Sequence, residues 1–198
     1  MHGLICKSLE SFIIDRHGPA VWSGIVRDAG LDFDRFEMLR TYDTRIIMAL
    51  AAATAGAIKD DPFHILEDMG HWLCTEPQTE AFRRLLRFTG GTFIDLIYSL
   101  DEMHDRANMA LPGIDLPDLI VSDDGSGVFS VQTTWTVPGG CSVLRGMLRA
   151  MADDYGTLVV IDETAHKRLE NHWIETLTIH VYDQSHQSPR EFTLTGQA

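Results

Sequence analysis

An α+β fold is predicted: a helical N-terminal lobe followed by an antiparallel sheet with one helix packed on it. Three observations support this. Apolar residues recur at helical spacing up to about residue 111, and nothing in that stretch alternates. After Pro112-Gly113 the chain turns to β-branched, alternating runs. The order of the two textures, helices and then strand-strand-helix-strand-strand, belongs to segregated α+β folds and not to alternating α/β ones.

Ile5, Leu9, Phe12 and Ile13 share one face of a first helix, which Gly18-Pro19 ends. Val21, Trp22, Ile25 and Val26 mark a second helix, and the Ala-rich stretch Thr44 to Ile58 a third. Asp61-Pro62 supplies an N-cap followed by proline in the first turn, opening a helix that ends near Gly70 to Thr75. Gln78 to Phe88 and Gly91 to Leu111 are two further helices, separated by Thr89-Gly90-Gly91. Leu119 to Val121 and Val128 to Val137 are strands, joined through the turn-forming run Ser122 to Gly127. Pro138-Gly139-Gly140 closes the second strand. Val143, Leu144, Met147, Leu148 and Met151 then form one face of a helix reaching about Asp154. Leu158 to Ile161 and Ile174 to Val181 complete the sheet. A single domain over 1–185 is expected, with a helical subdomain over about 1–65, the remaining helices and sheet over about 66–185, and a polar tail over 186–198.

The 198 residues, 44% apolar and 23% charged, suffice for a core without disulfides or a structural metal. A formal charge of −13 argues against nucleic-acid and anionic-membrane surfaces, which need clustered Lys and Arg. Three widely spaced cysteines, Cys6, Cys74 and Cys141, with no C-x-x-C, fit a reducing compartment, and the longest low-charge run, Ile46 to Ile58, is too short to cross a bilayer. A cytoplasmic protein is expected.

Phosphate-loop, dinucleotide, nucleophile-elbow and H-E-x-x-H signatures are missing, so no enzyme activity is predicted. The informative segment is Gly91 to Leu111, where Phe93, Ile97, Leu100, His104, Ala107 and Leu111 follow at spacings of three or four. That puts an imidazole on an apolar stripe, where it must hydrogen-bond a neighbour or donate a ring nitrogen to a ligand or metal. Asp101 and Glu102 beside it read as solvent-facing charge. His64, Glu67, Asp68 and His71 share one helical flank, the donor set of a transition-metal site or simply a solvated face.

Leu100-Asp101-Glu102-Met103-His104, followed by Leu116-Pro117, resembles the proximal-histidine segment of the haem nitric oxide/oxygen binding (H-NOX) domain family, and Met1-His2-Gly3-Leu4-Ile5 resembles that family's start. The helices-then-sheet order matches along nearly the whole chain. The resemblance implies a b-type haem between the two lobes, with His104 as axial iron ligand and Pro117 pressing on the macrocycle. Ile5, Leu9, Val143 and Met147 would line the distal side, and Leu100 and Leu116 the slot near the histidine. Val143 takes the place of the tyrosine with which some members hold O2, which favours NO, and CO as a second diatomic ligand, over stable O2 binding. Gly70 resembles a hinge glycine of the family. Cys141, His166 and His172 resemble, incompletely, the zinc ligands of some relatives.

The chain departs from the family at Y-x-S-x-R, the motif that anchors the haem propionates. Thr134, Trp135, Thr136, Val137 and Pro138 stand there, so Thr136 alone keeps a hydroxyl in place and no guanidinium meets the carboxylates. Arg145 or Arg149 is the candidate substitute cation. By resemblance, the function implied is a gas sensor in which release of His104 shifts the Gly91 to Leu111 helix, read by a separate protein such as a histidine kinase or a cyclic-di-GMP enzyme. The lost Tyr and Arg motivate a second reading, a haem-free module with the same fold. A metalloenzyme built on His64, Asp68 and His71 is a third.

Overall fold

The computed structural model describes residues 1–110 and 113–191. Helix α1 (Gly3–His17) begins where the His2 ring accepts the Leu4 amide, and α2 (Pro19–Asp28) starts at the proline after Gly18. Irregular chain leads to α3 (Thr44–Ile58), capped by the Asp43 carboxylate accepting Arg45 N, and then to α4 (Pro62–Thr75), capped in the same way by Asp61. A 3-10 turn (Pro77–Thr79) precedes α5 (Glu80–Arg87). The reciprocal box between Thr92 and Asp95 opens α6 (Phe93–Ser99).

The expected continuous helix from Gly91 to Leu111 is interrupted. After α6 the backbone tightens into a 3-10 turn (Leu100–Glu102) before α7 (Met103–Ala110). Leu111, the last residue of the expected stripe, lies outside the described residues. The stripe runs from a fully buried end, Phe93, Ile97 and Leu100, to a half-buried one at His104 and Ala107.

Strands β1 (Asp118–Asp123) and β2 (Val128–Trp135) form the expected hairpin. Helix α8 (Gly140–Tyr155) and strands β3 (Leu158–Arg168) and β4 (Trp173–Asp183) follow, and the antiparallel sheet runs β1-β2-β4-β3. Phe129, Val131 and Thr133 of β2 pair with Ile179, Leu177 and Glu175 of β4, placing all six on the buried face. The second half of β3, polar from Asp162 onward, extends beyond the expected Ile161 as an edge strand.

Two apolar cores result. Ile13, Ile25, Leu50 and Trp72 centre the first, between α1 and α4. Phe93, Leu96, Ile97, Leu100, Val131, Leu148, Met151, Leu177 and Ile179 centre the second, between the α6 segment, α8 and the sheet. Helix α4 serves both, with Ile65, Met69 and Trp72 in the first and Cys74 in the second, so the division expected near residue 65 falls within this helix.

Helices α4 and α8 meet backbone to backbone. A methyl on Gly70 would lie 2.0 Å from the Val143 carbonyl oxygen, and one on Gly146 would lie 1.9 Å from that of Glu67. Gly70 therefore sits inside α4 at a helix crossing, and not at the helix end the sequence suggests. Among the described residues no helix is long and apolar enough to cross a membrane.

Candidate functional site

Three side chains on the α6–α7 segment face the edge strand β1. Tyr98 Oη donates to Asp123, Asp101 Oδ1 accepts the Val121 amide at 2.6 Å, and His104 Nδ1 lies 3.2 Å from Asp118 Oδ1. Their spacing of three residues turns one face of the segment along the strand, antiparallel to 123, 121 and 118. The hydrogen bond to Asp123 also pushes the Tyr98 phenol up from its ordinary pKa. Asp101 is exposed, as its reading as solvent-facing charge expects, and it also serves as acceptor for an otherwise open edge amide. Glu102 pairs with Arg106 on the exposed side.

The histidine is the chemically distinctive member. Its side chain is 34% exposed, yet Nδ1 itself is sealed from solvent and makes no contact with hydrogen-bond geometry, the Asp118 carboxylate being close but out of line. No hydrogen bond engages Nε2 among the described residues. A metal-ligating histidine ordinarily donates its other ring N–H to a carboxylate or carbonyl, an alignment that His104 and Asp118 do not make. His104 thus keeps one ring nitrogen free of hydrogen bonds among the described residues, on a ring that stands half-buried at the open end of the stripe.

The other expected haem contacts are divided between the cores. Ile5 and Leu9 pack in the first core, Leu100 and Met147 in the second, and Val143 touches both. Leu116 and Pro117 are half-buried on the linker entering β1, next to Asp115, which accepts the Trp135 indole N–H at 3.1 Å. A cavity of about 410 Å³ lies instead between the 32–43 loop and α3, lined by Phe33, Arg40, Tyr42 and Ile46. A second, of about 20 Å³, lies among Leu9, Thr54, Ile65 and Leu66.

The propionate end does not reproduce the family's anchor. Thr134 is half-buried, Thr136 is exposed past the end of β2, and Pro138 carries no cation. The substitutes are committed, since Arg145 and Arg149 both pair with Glu67 on α4. That pairing, with His64 beside Asp60, also takes apart the donor flank of His64, Glu67, Asp68 and His71.

A different group assembles at the start of α8. Buried Glu175 accepts the amides of Gly139 at 2.8 Å and Cys141 at 2.9 Å, while His166 Nδ1 lies 3.2 Å from its Oε1. Donor atoms of Glu163, His166 and Glu175 lie within 4.8 Å of one another. Cys141 points away to Thr133 Oγ1 at 3.6 Å, its thiol pushed up to about 12 by burial, and His172 is exposed in the β3–β4 turn. The expected grouping of Cys141, His166 and His172 is therefore not formed, and Glu175 is occupied in capping the helix.

Sequence reasoning missed Asp118 and Glu175. The signal for Asp118 is an acid directly after Leu116-Pro117, at the first residue of a strand. The signal for Glu175 is a single acid among Ile174, Leu177 and Ile179 in an apolar run.

The family model described as Haem-NO-binding matches residues 2–163. Soluble guanylate cyclase gcy-31 of Caenorhabditis elegans is 21% identical over 163 residues, covering 82% of this chain and 23% of the relative. Soluble guanylate cyclase 89Db of Drosophila melanogaster is 19% identical, covering 78% of this chain and 23% of the relative. The chain thus spans about a quarter of the curated relatives it matches. An H-NOX protein from S. oneidensis, solved in the Fe(II)NO ligation state, superposes with a TM-score of 0.72 at 17% identity over 92% of this chain and 100% of its own. A Cs H-NOX mutant superposes with a TM-score of 0.78 at 14% identity over 94% of this chain and 100% of its own. The fold is that of H-NOX domains, and by the match over residues 2–163 the chain belongs to the Haem-NO-binding family.

Proposed function

We propose that this protein is a haem-based gas sensor of the cytoplasm, with no catalytic activity of its own. A b-type haem would be held by His104 and by apolar contacts from Ile5, Leu9, Leu100, Leu116, Pro117, Val143 and Met147. The carrying observation is the His104 ring, with Nδ1 sealed against Asp118 and Nε2 uncommitted. Haem would supply an iron centre with one face left for a diatomic gas. Val143 offers no hydrogen-bond donor for O2, which supports NO, and CO with it, as the ligand.

His104 is carried on α7, beyond the 3-10 turn, so release of this ring from a haem would act first on α7. A shift of that helix signals only if a partner binds the two arrangements unequally. We assign that role to a separate protein, a histidine kinase or a cyclic-di-GMP enzyme. The test is optical: hemin added to the purified protein should give a Soret band that moves on adding NO and shows no stable O2 form. His104→Gly should abolish the five-coordinate histidine spectrum of the ferrous protein. A His104→Gly protein with an unchanged spectrum would overturn the assignment.

One observation favours a second reading, a haem-free module. The propionate anchor is replaced by Thr134 and Thr136, and both nearby arginines are held by Glu67. On that reading the protein stays colourless through every hemin titration while melting as a stable fold.

A further inference from the structure

We propose that the outer edge of β3 is a pairing surface for a second copy of this chain, joined as an antiparallel, two-fold symmetric strand pair. β3 ends the β1-β2-β4-β3 sheet, so every second residue turns its amide and carbonyl away from β4. Among the described residues no backbone group bonds to β3 from that side. The opposite edge differs, since the Val121 amide of β1 is taken by Asp101 and Asp123 by Tyr98. An open edge is a template for another strand, and proteins ordinarily blunt it with charge. Here the charges are ordered. Asp162 and Glu163 come first along β3 and Lys167 and Arg168 last, so the strand run antiparallel is its own electrostatic complement.

The pleat selects the register. Asp162, Ala165 and Lys167 pair with Thr178, Thr176 and Ile174 on the outer face of the sheet. Ile161, Glu163, His166 and Arg168 pair with Ile179, Leu177, Glu175 and Trp173, on the face of the buried Leu177 and Ile179. Thr164 is the extra residue of a bulge between Glu163 and Ala165. A two-fold axis between Thr164 and Ala165 keeps like faces together across residues 161–168. Asp162 then meets the second copy's Lys167 on the outer face, and Glu163 faces the second copy's His166 with Arg168 on the diagonal. A slip by one residue would set outer side chains against inner ones. Asp162 and Lys167 are exposed and make no ion pair among the described residues, so both are open to a counterpart. Thr164 turns its hydroxyl back to β4, 3.4 Å from the Thr176 carbonyl oxygen and 3.3 Å from Thr178 Oγ1, which with the small Ala165 leaves the axis clear. The formal charge of −13 opposes association, so the backbone bonds supply the attraction and the ordered charges set direction and register.

Sedimentation equilibrium of the purified protein across a dilution series should show a monomer–dimer equilibrium. Asp162→Lys sets two cations against each other at both outer pairs, and Lys167→Glu sets two acids, so each should weaken the dimer about tenfold or more. The double exchange, Asp162→Lys with Lys167→Glu, restores both pairs and should return association to the wild-type level. An equimolar mixture of the two single variants should form mixed dimers. Both side chains are exposed, and matching thermal melts separate loss of pairing from loss of fold. Hydrogen exchange reads the edge itself: β3 amides that point away from β4 should gain protection as concentration rises. A wild-type protein that stays monomeric throughout would overturn the proposal. So would a dimer that neither single variant weakens, or one that the double exchange fails to restore. No readout involves His104 or haem, so the result stands apart from the sensor reading.

Discussion

At the first turn of α8 two backbone amides, those of Gly139 and Cys141, point at a carboxylate that is 2% exposed. Removing it strands both donors in a place water does not reach, at about 1–3 kcal/mol each. Glu175→Ala should therefore lower stability by about 3 kcal/mol or more in urea unfolding, and Glu175→Gln, which keeps an acceptor, by less. The buried thiols make a pH prediction. Burial pushes Cys6 up to about 11 and Cys74 and Cys141 to about 12, from an ordinary 9.0. The folded state thus holds these protons after the unfolded chain has released them. Their contribution is intact below pH 9 and is lost as pH rises through 11 to 12, so stability should fall across that window, and alkylation at pH 8 should require unfolding. Residue-scale chemistry was only partly legible in the sequence. His104 stands out because it continues the spacing of Phe93, Ile97 and Leu100. Asp118 does not, because nothing local says which side chain a strand's first residue will meet.

The elements were more legible than the side-chain contacts. The range 44–58 for α3 follows from Asp43 as cap and an Ala-rich run after it. The interruption at Leu100–Glu102 does not, since spacings of four, three and four suit an unbroken helix. What tightens the backbone there is tertiary, with Leu100 in the sheet core on one side and Asp101 holding the Val121 amide on the other. Edge strand β3 was underestimated for a related reason: its outer half is solvated, so its apolar alternation fades after Ile161. The close crossing of α4 and α8 predicts opposite signs for three chemically identical substitutions. Gly→Ala inside a helix gains about 0.5–1 kcal/mol when space is open. At Gly56 in α3 nothing lies within 4 Å, so Gly56→Ala should raise Tm by roughly 2 °C. At Gly70 and Gly146 the obstacle is a backbone carbonyl of the facing helix, which cannot rotate away. Gly70→Ala and Gly146→Ala should each lose about 1–3 kcal/mol net and lower Tm by several degrees in calorimetry.

At the scale of the whole molecule, the question is whether the two cores unfold together. Two polar contacts bind α1 to α4 across the first core, Trp72 Nε1 donating to Asp15 at 2.9 Å and Arg16 reaching Glu76. Arg145 and Arg149 of α8 then bind the other flank of α4 through Glu67. Helix α4 is thus the shared wall, and it cannot unravel from one core without exposing side chains of the other. The last described residues are tied into the same structure. Asp154, at the end of α8, is buried among Arg83, Arg87 and Arg190, and Arg83 also donates to the Glu191 carbonyl at 3.3 Å. Residues 187–191 are thereby attached to α5 and α8, a tie the polar composition of the tail concealed, because its partners are distant in sequence. A lesion confined to the first core should then be felt in the sheet. Ile25→Ala removes a fully buried side chain of α2 and should cost about 2–5 kcal/mol. Hydrogen exchange should show protection of the β2 and β4 amides falling by the same free energy as that of α1, and fluorescence and circular dichroism should report one coincident thermal transition. If instead the sheet amides kept wild-type protection while α1 and α2 lost theirs, the two lobes would be separate folding units and α4 a linker between them.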